Sequence, residues 1–334
     1  MRAFDYARPG AVGAAIAAHA KADSAYLAGG TTLLDLAKID IMQPEQVVDI
    51  NGLGLDRIER LEDGRVRVGA LVTNTALARH ELIETHYPVL SQALLSGAST
   101  QLRNKATTGG NVMQRVRCPY FRDGASPCNK REPGSGCSAI GGVNRETFAV
   151  LGTSEQCIAA HPSDMCVAMA AIGATVSVHG PKGTREIDFG AFHLLPGSTP
   201  EREHALEPDE LITHVTLNAP ERDARSGYLK LRDRASYQFA LASCAAQLTL
   251  KGGVIRSPRI ALGGVATKPW RALEAERILE GKAPSKALFE QAAKAAFKTA
   301  TAYEHNAFKI PLGQHAIIAE LGKLTGLATT QEAS

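Results

Sequence analysis

Six cysteines in 334 residues are too few to staple a disulfide scaffold. Aromatic residues are scarce at 5%, with a single Trp. The net charge is only +3, from 37 basic and 34 acidic side chains, which argues against nucleic acid as a partner. No apolar run approaches the length of a membrane helix. The first ten residues, MRAFDYARPG, carry neither a signal-peptide apolar region nor a twin-arginine pair, so no export address is expected in this chain itself. Catalytic signatures are missing too. Without GxSxG or HExxH, no serine or metalloprotease nucleophile system is indicated. Without GxGxxG or GxxxxGK[ST], the Rossmann and P-loop readings are weak, and without any CxxC a zinc ribbon or finger is disfavoured. The ten histidines are scattered, and His161, His193 and His214 are expected to be structural or exposed.

What remains is a globular chain with 44% hydrophobic residues, long enough for two or three domains. Residues 11–20, AVGAAIAAHA, read as a short Ala-rich helix. Residues 25–30 read as a strand entering a Gly turn, and 31–38 as the helix that follows, with Thr in the capping region. Strands are expected at 46–50, 65–72, 174–180 and 211–217, and helices at 73–83, 89–99 and 161–174, the last capped by Ser163 or Asp164. A boundary is expected near residues 218–227. Beyond it, 243–266 reads as two strands joined through Gly252-Gly253, and 270–281, 286–300 and 313–324 as helices. Residues 115–160 have no sustained period, and a stretch of that length without regular structure tends to be functional.

Chemistry concentrates in a few segments. AGGTTLLDLAK (28–38) and TTGGNVMQ (107–114) each combine paired glycines with hydroxyls, so backbone N–H groups can approach an anion closely. Two such segments suggest two sides of one phosphate-bearing ligand, although a pair of ordinary Gly turns has the same appearance. Cys118, Cys128, Cys137 and Cys157 stand in the loop-like stretch, with Arg115, Arg117, Arg122, Lys130 and Arg131 against Asp123 alone in residues 115–131. Four thiolates on a basic loop suit an anionic [4Fe–4S] cluster, while zinc, and free thiols or a disulfide pair on a solvated loop, remain open. Cys166 and Cys244 lie in apolar runs and read as small core residues. Asp164 can accept ribose hydroxyls or cap a helix, and Lys230, in an alternating strand, can face a ligand or solvent.

Taken in order, AGGTTLLDLAK, TTGGNVMQ, PSDMCVAM, DELITHVTL and YLKLRDRASYQFALAS resemble the FAD-binding medium subunits of the xanthine dehydrogenase (molybdenum hydroxylase) family over residues 1 to about 325. The cysteine loop resembles the [4Fe–4S]-bearing members found in periplasmic aldehyde oxidoreductases. The resemblance implies an α+β chain: a two-subdomain FAD-binding fold of the vanillyl-alcohol oxidase type, residues 1–54 and 55–220, then a C-terminal domain, 221–330, of three-stranded antiparallel sheet plus helical bundle. It implies that the backbone of Ala28, Gly29, Gly30, Thr31, Thr32, Leu33 and Leu34 wraps the pyrophosphate. Thr107, Thr108, Gly109, Gly110 and Asn111 would line its other side. Asp164 would hold the ADP ribose, Lys230 would lie near the isoalloxazine edge, and Leu211 or Ile212 would pack on the flavin ring. Cys118, Cys128, Cys137 and Cys157 would ligate the cluster. The implied role is electron transfer, with FAD collecting electrons from a small subunit carrying two [2Fe–2S] clusters and passing them to oxygen or a quinone-like acceptor. A large molybdenum-cofactor subunit would oxidise the substrate, an aldehyde, in a heterotrimer. The loop by which some members use NAD is not identifiable. Cytoplasmic folding followed by export to the periplasm on a partner's signal is expected. The rivals are a stand-alone flavin oxidoreductase and a zinc-stabilised binding module.

Overall fold

The structure is a computed structural model that describes residues 1–21, 23–144 and 146–327. Its strands form three sheets. The first is parallel and holds β1 (Asp5–Ala7), β2 (Ser24–Leu27) and β3 (Gln46–Asp49) in the order β1-β3-β2. Parallel neighbours need crossovers, and the helices Val12–His19 and Leu33–Lys38 supply them. Val47 and Val48 of the central strand are buried.

The second sheet is antiparallel: β4 (Ile58–Arg60), β5 (Val66–Gly69), β6 (Ala174–Gly180), β7 (Gly183–Asp188) and β8 (Leu211–Leu217), in the order β4-β5-β8-β6-β7. Along β6 buried and partly exposed residues alternate, as a sheet with one packed face requires. The helix Asp164–Ile172 is buried at all nine positions, which makes it a core helix. It shares one apolar cluster with β6 and β8 and with Ala245 and Ala261 of the third sheet.

The third sheet is a meander of β9 (Arg225–Leu231), β10 (Ala242–Lys251) and β11 (Val254–Gly263), with the two-residue edge strand β12 (Trp270–Arg271), in the order β12-β11-β10-β9. The β10–β11 connection is Gly252-Gly253, with φ of 61° and 76°, the twist a two-residue hairpin turn needs. Helices Leu273–Leu279, Lys286–Ala296 and Lys309–Thr325 bury Cys244, Leu248, Ile260, Phe289 and Ile317 against it. Cys166 and Cys244 are fully buried.

The local readings differ from the structure in informative places. The segment 73–83 forms two helices, Asn74–Ala78 and Glu81–His86, because His80 is extended and its ring nitrogen accepts from the Leu82 N–H at 3.3 Å. The Gly-rich 107–114 is a short helix, Thr108–Val112, with the Thr107 hydroxyl accepting from Gly110 N–H. The final helix starts at Lys309, upstream of Gly313, with Pro311 in its first turn, where the missing N–H has no helical partner to lose. Within the cysteine-bearing stretch the described residues hold the short helix Pro119–Arg122 and isolated bridges such as Cys128 with Cys137.

Candidate functional site

The two glycine segments face each other. After β2 the chain turns through Gly29 and Gly30, and Gly30 has a φ of 74° that favours glycine. A Cβ on Gly29 would lie 1.8 Å from the Lys105 carbonyl oxygen, so the turn rests on the backbone that leads into the second segment. That segment is held by Gly109 N–H to Ala70 O at 2.8 Å and by a Thr73–Thr107 bridge. Asn111 Oδ1 accepts from Ser163 Oγ (2.7 Å) and Gln114 Nε2 (2.6 Å), which fixes the orientation of its amide.

Two cavities open from this cradle. One has a volume of about 590 Å³ and the other about 630 Å³, and Thr31, Thr32 and Gly110 line both. Ala28, Gly29, Gly30, Leu33, Thr107, Gly109, Leu211 and Ile212 line the larger lobe, with Tyr26 and His204. Asn111, Asp164 and Lys230 line the smaller one, with Arg117, Tyr237 and Phe239. Two expected residues line neither lobe. Thr108 is fully buried and gives both its N–H and its hydroxyl to the Val72 carbonyl, at 2.8 and 3.0 Å. The N–H of Leu34 is taken by Gly30 O in the helix.

In the smaller lobe, Tyr228 and Lys230 point the same way because they are two apart on β9. Lys230 Nζ is 2.8 Å from Asp164 Oδ2 and 3.2 Å from the Ser96 carbonyl. Tyr228 donates to Asp164 Oδ1 at 2.5 Å, and its phenol is held well above the usual range by burial first and the carboxylate second. Ser163, not Asp164, caps the helix, accepting from Cys166 N–H at 3.0 Å. One expectation is therefore corrected. Asp164 and Lys230 are paired in one lobe while Leu211 and Ile212 line the other, so Lys230 and Leu211 or Ile212 do not attend the same ring with Asp164 at the far end.

The four loop cysteines do come together. Cys118, Cys128, Cys137 and Cys157 line one void of about 10 Å³ and pack with Val116, Phe121 and Ile158. Burial pushes the Cys118 thiol up to about 12 and raises that of Cys157. The loop's basic side chains are partnered. Arg115 and Lys130 pair with Glu203, Arg117 and Arg122 with Asp35, and Arg131 donates to the carbonyls of Tyr120 and Phe121. Among the described residues, the group of three metal-ligating side chains with ligand atoms all within 4.8 Å is a different one: His161, Cys166 and His193. Both rings are buried and titrate low because of it, His193 at about 4. Scattered in sequence, these three gave no spacing signal.

Residues 2–220 match the family model described as the FAD binding domain in molybdopterin dehydrogenase, and 227–307 match the CO dehydrogenase flavoprotein C-terminal domain. The chain belongs to the FAD-binding medium subunits of molybdenum hydroxylases. It is 48% identical over 329 residues, 97% of this chain and 98% of its relative, to the aldehyde oxidoreductase FAD-binding subunit PaoB of Escherichia coli (strain K12). It is 27% identical over 292 residues, 86% of this chain and 84% of the other, to a carbon monoxide dehydrogenase medium chain of Afipia carboxidovorans. Among solved structures, carbon monoxide dehydrogenase from Hydrogenophaga pseudoflava superposes with a TM-score of 0.77 at 25% identity, covering 98% of this chain and 99% of that one. Members of this family are oxidoreductase subunits, and FAD is the cofactor of the matched domain. The α+β fold with its C-terminal sheet and helices is that of the medium chains.

The cavities fit a dinucleotide of this kind. A ligand with two ring systems joined by a pyrophosphate needs two lobes meeting at a backbone cradle, and Thr31, Thr32 and Gly110 stand where the lobes meet. Several lining residues were not singled out from sequence: Tyr26 and His19, stacked at 4.1 Å, and Arg103, Tyr237 and Phe239; Arg117 was noted only as a basic residue of the cysteine loop. The available signal was SYQF (236–239), two aromatics in three positions of an aromatic-poor chain.

Proposed function

We propose that this chain is the FAD- and [4Fe–4S]-binding electron-transfer subunit of a molybdenum-dependent aldehyde oxidoreductase. The observation that carries this reading is the full-length likeness, at 48% identity, to an aldehyde oxidoreductase FAD-binding subunit. Bound FAD supplies a carrier that collects electrons from one-electron relays and yields them in pairs. The chain's own residues then have defined tasks. The Gly29–Thr32 turn holds the pyrophosphate with backbone N–H groups and hydroxyls, while Thr107 and Gly110 line its other side. Tyr26, Leu211 and Ile212 take the adenine in the larger lobe. In the smaller lobe the Lys230 ammonium, fixed by Asp164 and Ser96, favours electron-rich flavin by placing a positive charge near it.

The cluster is supported by the convergence on one void of the four cysteines, three of them buried and Cys137 partly exposed. A single zinc ion with ligands at about 2.3 Å holds its thiolates about 3.8 Å apart. Among the described residues, none of the four belongs to a trio of ligand atoms within 4.8 Å. A cluster spreads its thiolates wider, each on its own iron. Its principal role is to staple the loop, since little regular structure holds that stretch and metal binding supplies folding energy. The partners are a small subunit with two [2Fe–2S] clusters and a large molybdenum-cofactor subunit, in a heterotrimer that folds in the cytoplasm and resides in the periplasm after export on a partner's signal. Cell fractionation checks the last point.

A visible spectrum with iron and zinc analysis of the purified complex tests the reading. Flavin absorption and about eight irons are expected, four of them beyond the two [2Fe–2S] clusters; absence of flavin overturns the FAD assignment, and about four irons with zinc overturns the cluster. For the staple, Cys→Ser variants should lose assembly. If they assemble fully and lose only turnover, the cluster's role lies in electron flow instead.

A further inference from the structure

The smaller lobe has a mouth that the FAD reading does not use. Phe239 and Tyr237 stand there 44% and 57% exposed, the latter at a φ of 55°. Rings left half in water keep part of their apolar surface unburied, so two at one opening need a reason. Both are held by arginine. The Arg117 guanidinium lies 5.1 Å from the Phe239 ring centroid, and that of Arg234 5.9 Å from Tyr237. Arg117 and Arg122 also line this lobe and share Asp35 at 3.3 and 2.9 Å, yet Arg117 Nε and Arg122 Nη1 are buried with no hydrogen-bond partner. Buried donors without acceptors are costly, and a carbonyl oxygen would satisfy them.

We infer that this mouth is the acceptor site and that its ligand is a quinone, a flat ring lying on Phe239 with a carbonyl oxygen toward Arg117 and Arg122. The inference rests on the FAD reading above and names the acceptor for it. The quinone takes two electrons and two protons from the reduced flavin; its two carbonyls become hydroxyls, and FAD is regenerated. Arg117 and Arg122 favour the step by stabilising negative charge as it develops on the quinone oxygen. Phe239 supplies the flat face and is the specificity-determining residue.

The test is calorimetric titration of 1,4-naphthoquinone into the air-oxidised, flavin-loaded complex, where both partners are oxidised and no turnover occurs. Wild type should bind. Phe239→Ala and Phe239→Leu should each weaken binding about tenfold, because the leucine keeps apolar volume but loses the flat face, and Phe239→Trp should retain it. The inference is overturned if the flavin-bearing wild type binds no naphthoquinone, if Phe239→Ala binds within twofold of wild type, if that variant loses its flavin instead, or if NAD+ displaces the naphthoquinone. Absence of flavin from the wild type would instead sink the FAD reading on which this one stands.

Discussion

Gly29→Ala tests the cradle directly, because one methyl group is aimed at the contact between the two glycine segments. Its Cβ would sit 1.8 Å from the Lys105 oxygen, 2.6 Å from the Lys105 carbonyl carbon and 3.2 Å from Ala106 Cα. These are backbone atoms, so no side chain can rotate away. Comfortable contact needs about 3.5 Å, so the segments must separate by well over 1 Å. Overpacking of this kind costs about 1–3 kcal/mol. The larger effect should fall on FAD, since parting the segments moves the Gly29–Thr32 turn away from Thr107 and Gly110, which line the other side of the pyrophosphate cradle. The expected outcome is a folded protein, less stable in urea by about 1–3 kcal/mol, that purifies with little flavin absorption. Gly13→Ala is the control. It lies in the helix Val12–His19 with nothing within 4 Å of its new Cβ, and should stabilise by about 0.5–1 kcal/mol with full flavin. Should Gly29→Ala hold flavin as tightly as wild type, the two segments do not form one binding surface.

Lys230→Ala removes the partner of a carboxylate whose side chain is only 8% exposed, and should cost about 3–5 kcal/mol in urea unfolding at neutral pH. Adding Asp164→Asn should recover part of the loss, a coupling of at least about 1 kcal/mol; additive losses would show that the pair is not formed. Glu320 in the last helix is 1% exposed, its Oε1 has the Lys323 ammonium at 3.7 Å, and burial, outweighing Lys323, raises its pKa above the usual carboxylate value of 4.5. Its folded form therefore holds the proton more tightly than its unfolded form, so the charged state costs stability at neutral pH and that cost fades as pH falls toward 4.5. Glu320→Gln should raise the melting temperature by about 2–4 °C near pH 7.5, with the gain shrinking toward pH 4.5; an equal gain at both pH values would contradict the assignment.

Much of the scaffold was legible where one physical signal dominated. Residues 174–180 and 211–217 are strands over the whole expected span, since β-branched residues and local turn chemistry agree there. The hairpin through Gly252-Gly253 announced itself for the same reason. The split at His80 was hidden because the capping atom is an imidazole nitrogen, outside the common cap residues. In the site, the two glycine segments were visible as composition, but their mutual contact was not, because the Gly29–Lys105 approach is tertiary. The withdrawal of Thr108 and Leu34 from the cavities turns on which face each presents, and a Gly-rich run has no period to reveal that. Pairing of Asp164 with Lys230 spans 66 residues and joins a helix start to a strand, so neither element's pattern marks the other.

The cysteine-bearing stretch fastens itself to every layer of the molecule. Its arginines reach Asp35 beside the first sheet and Glu203 on the approach to β8. Farther along, Val150 and Leu151 donate to the Val265 carbonyl beyond β11, Asn306 donates to Ala149 O, and Lys309 donates to Glu146 O and Gly264 O. A segment tied in this way braces the chain, and a change that loosens it would loosen anchors beside all three sheets together.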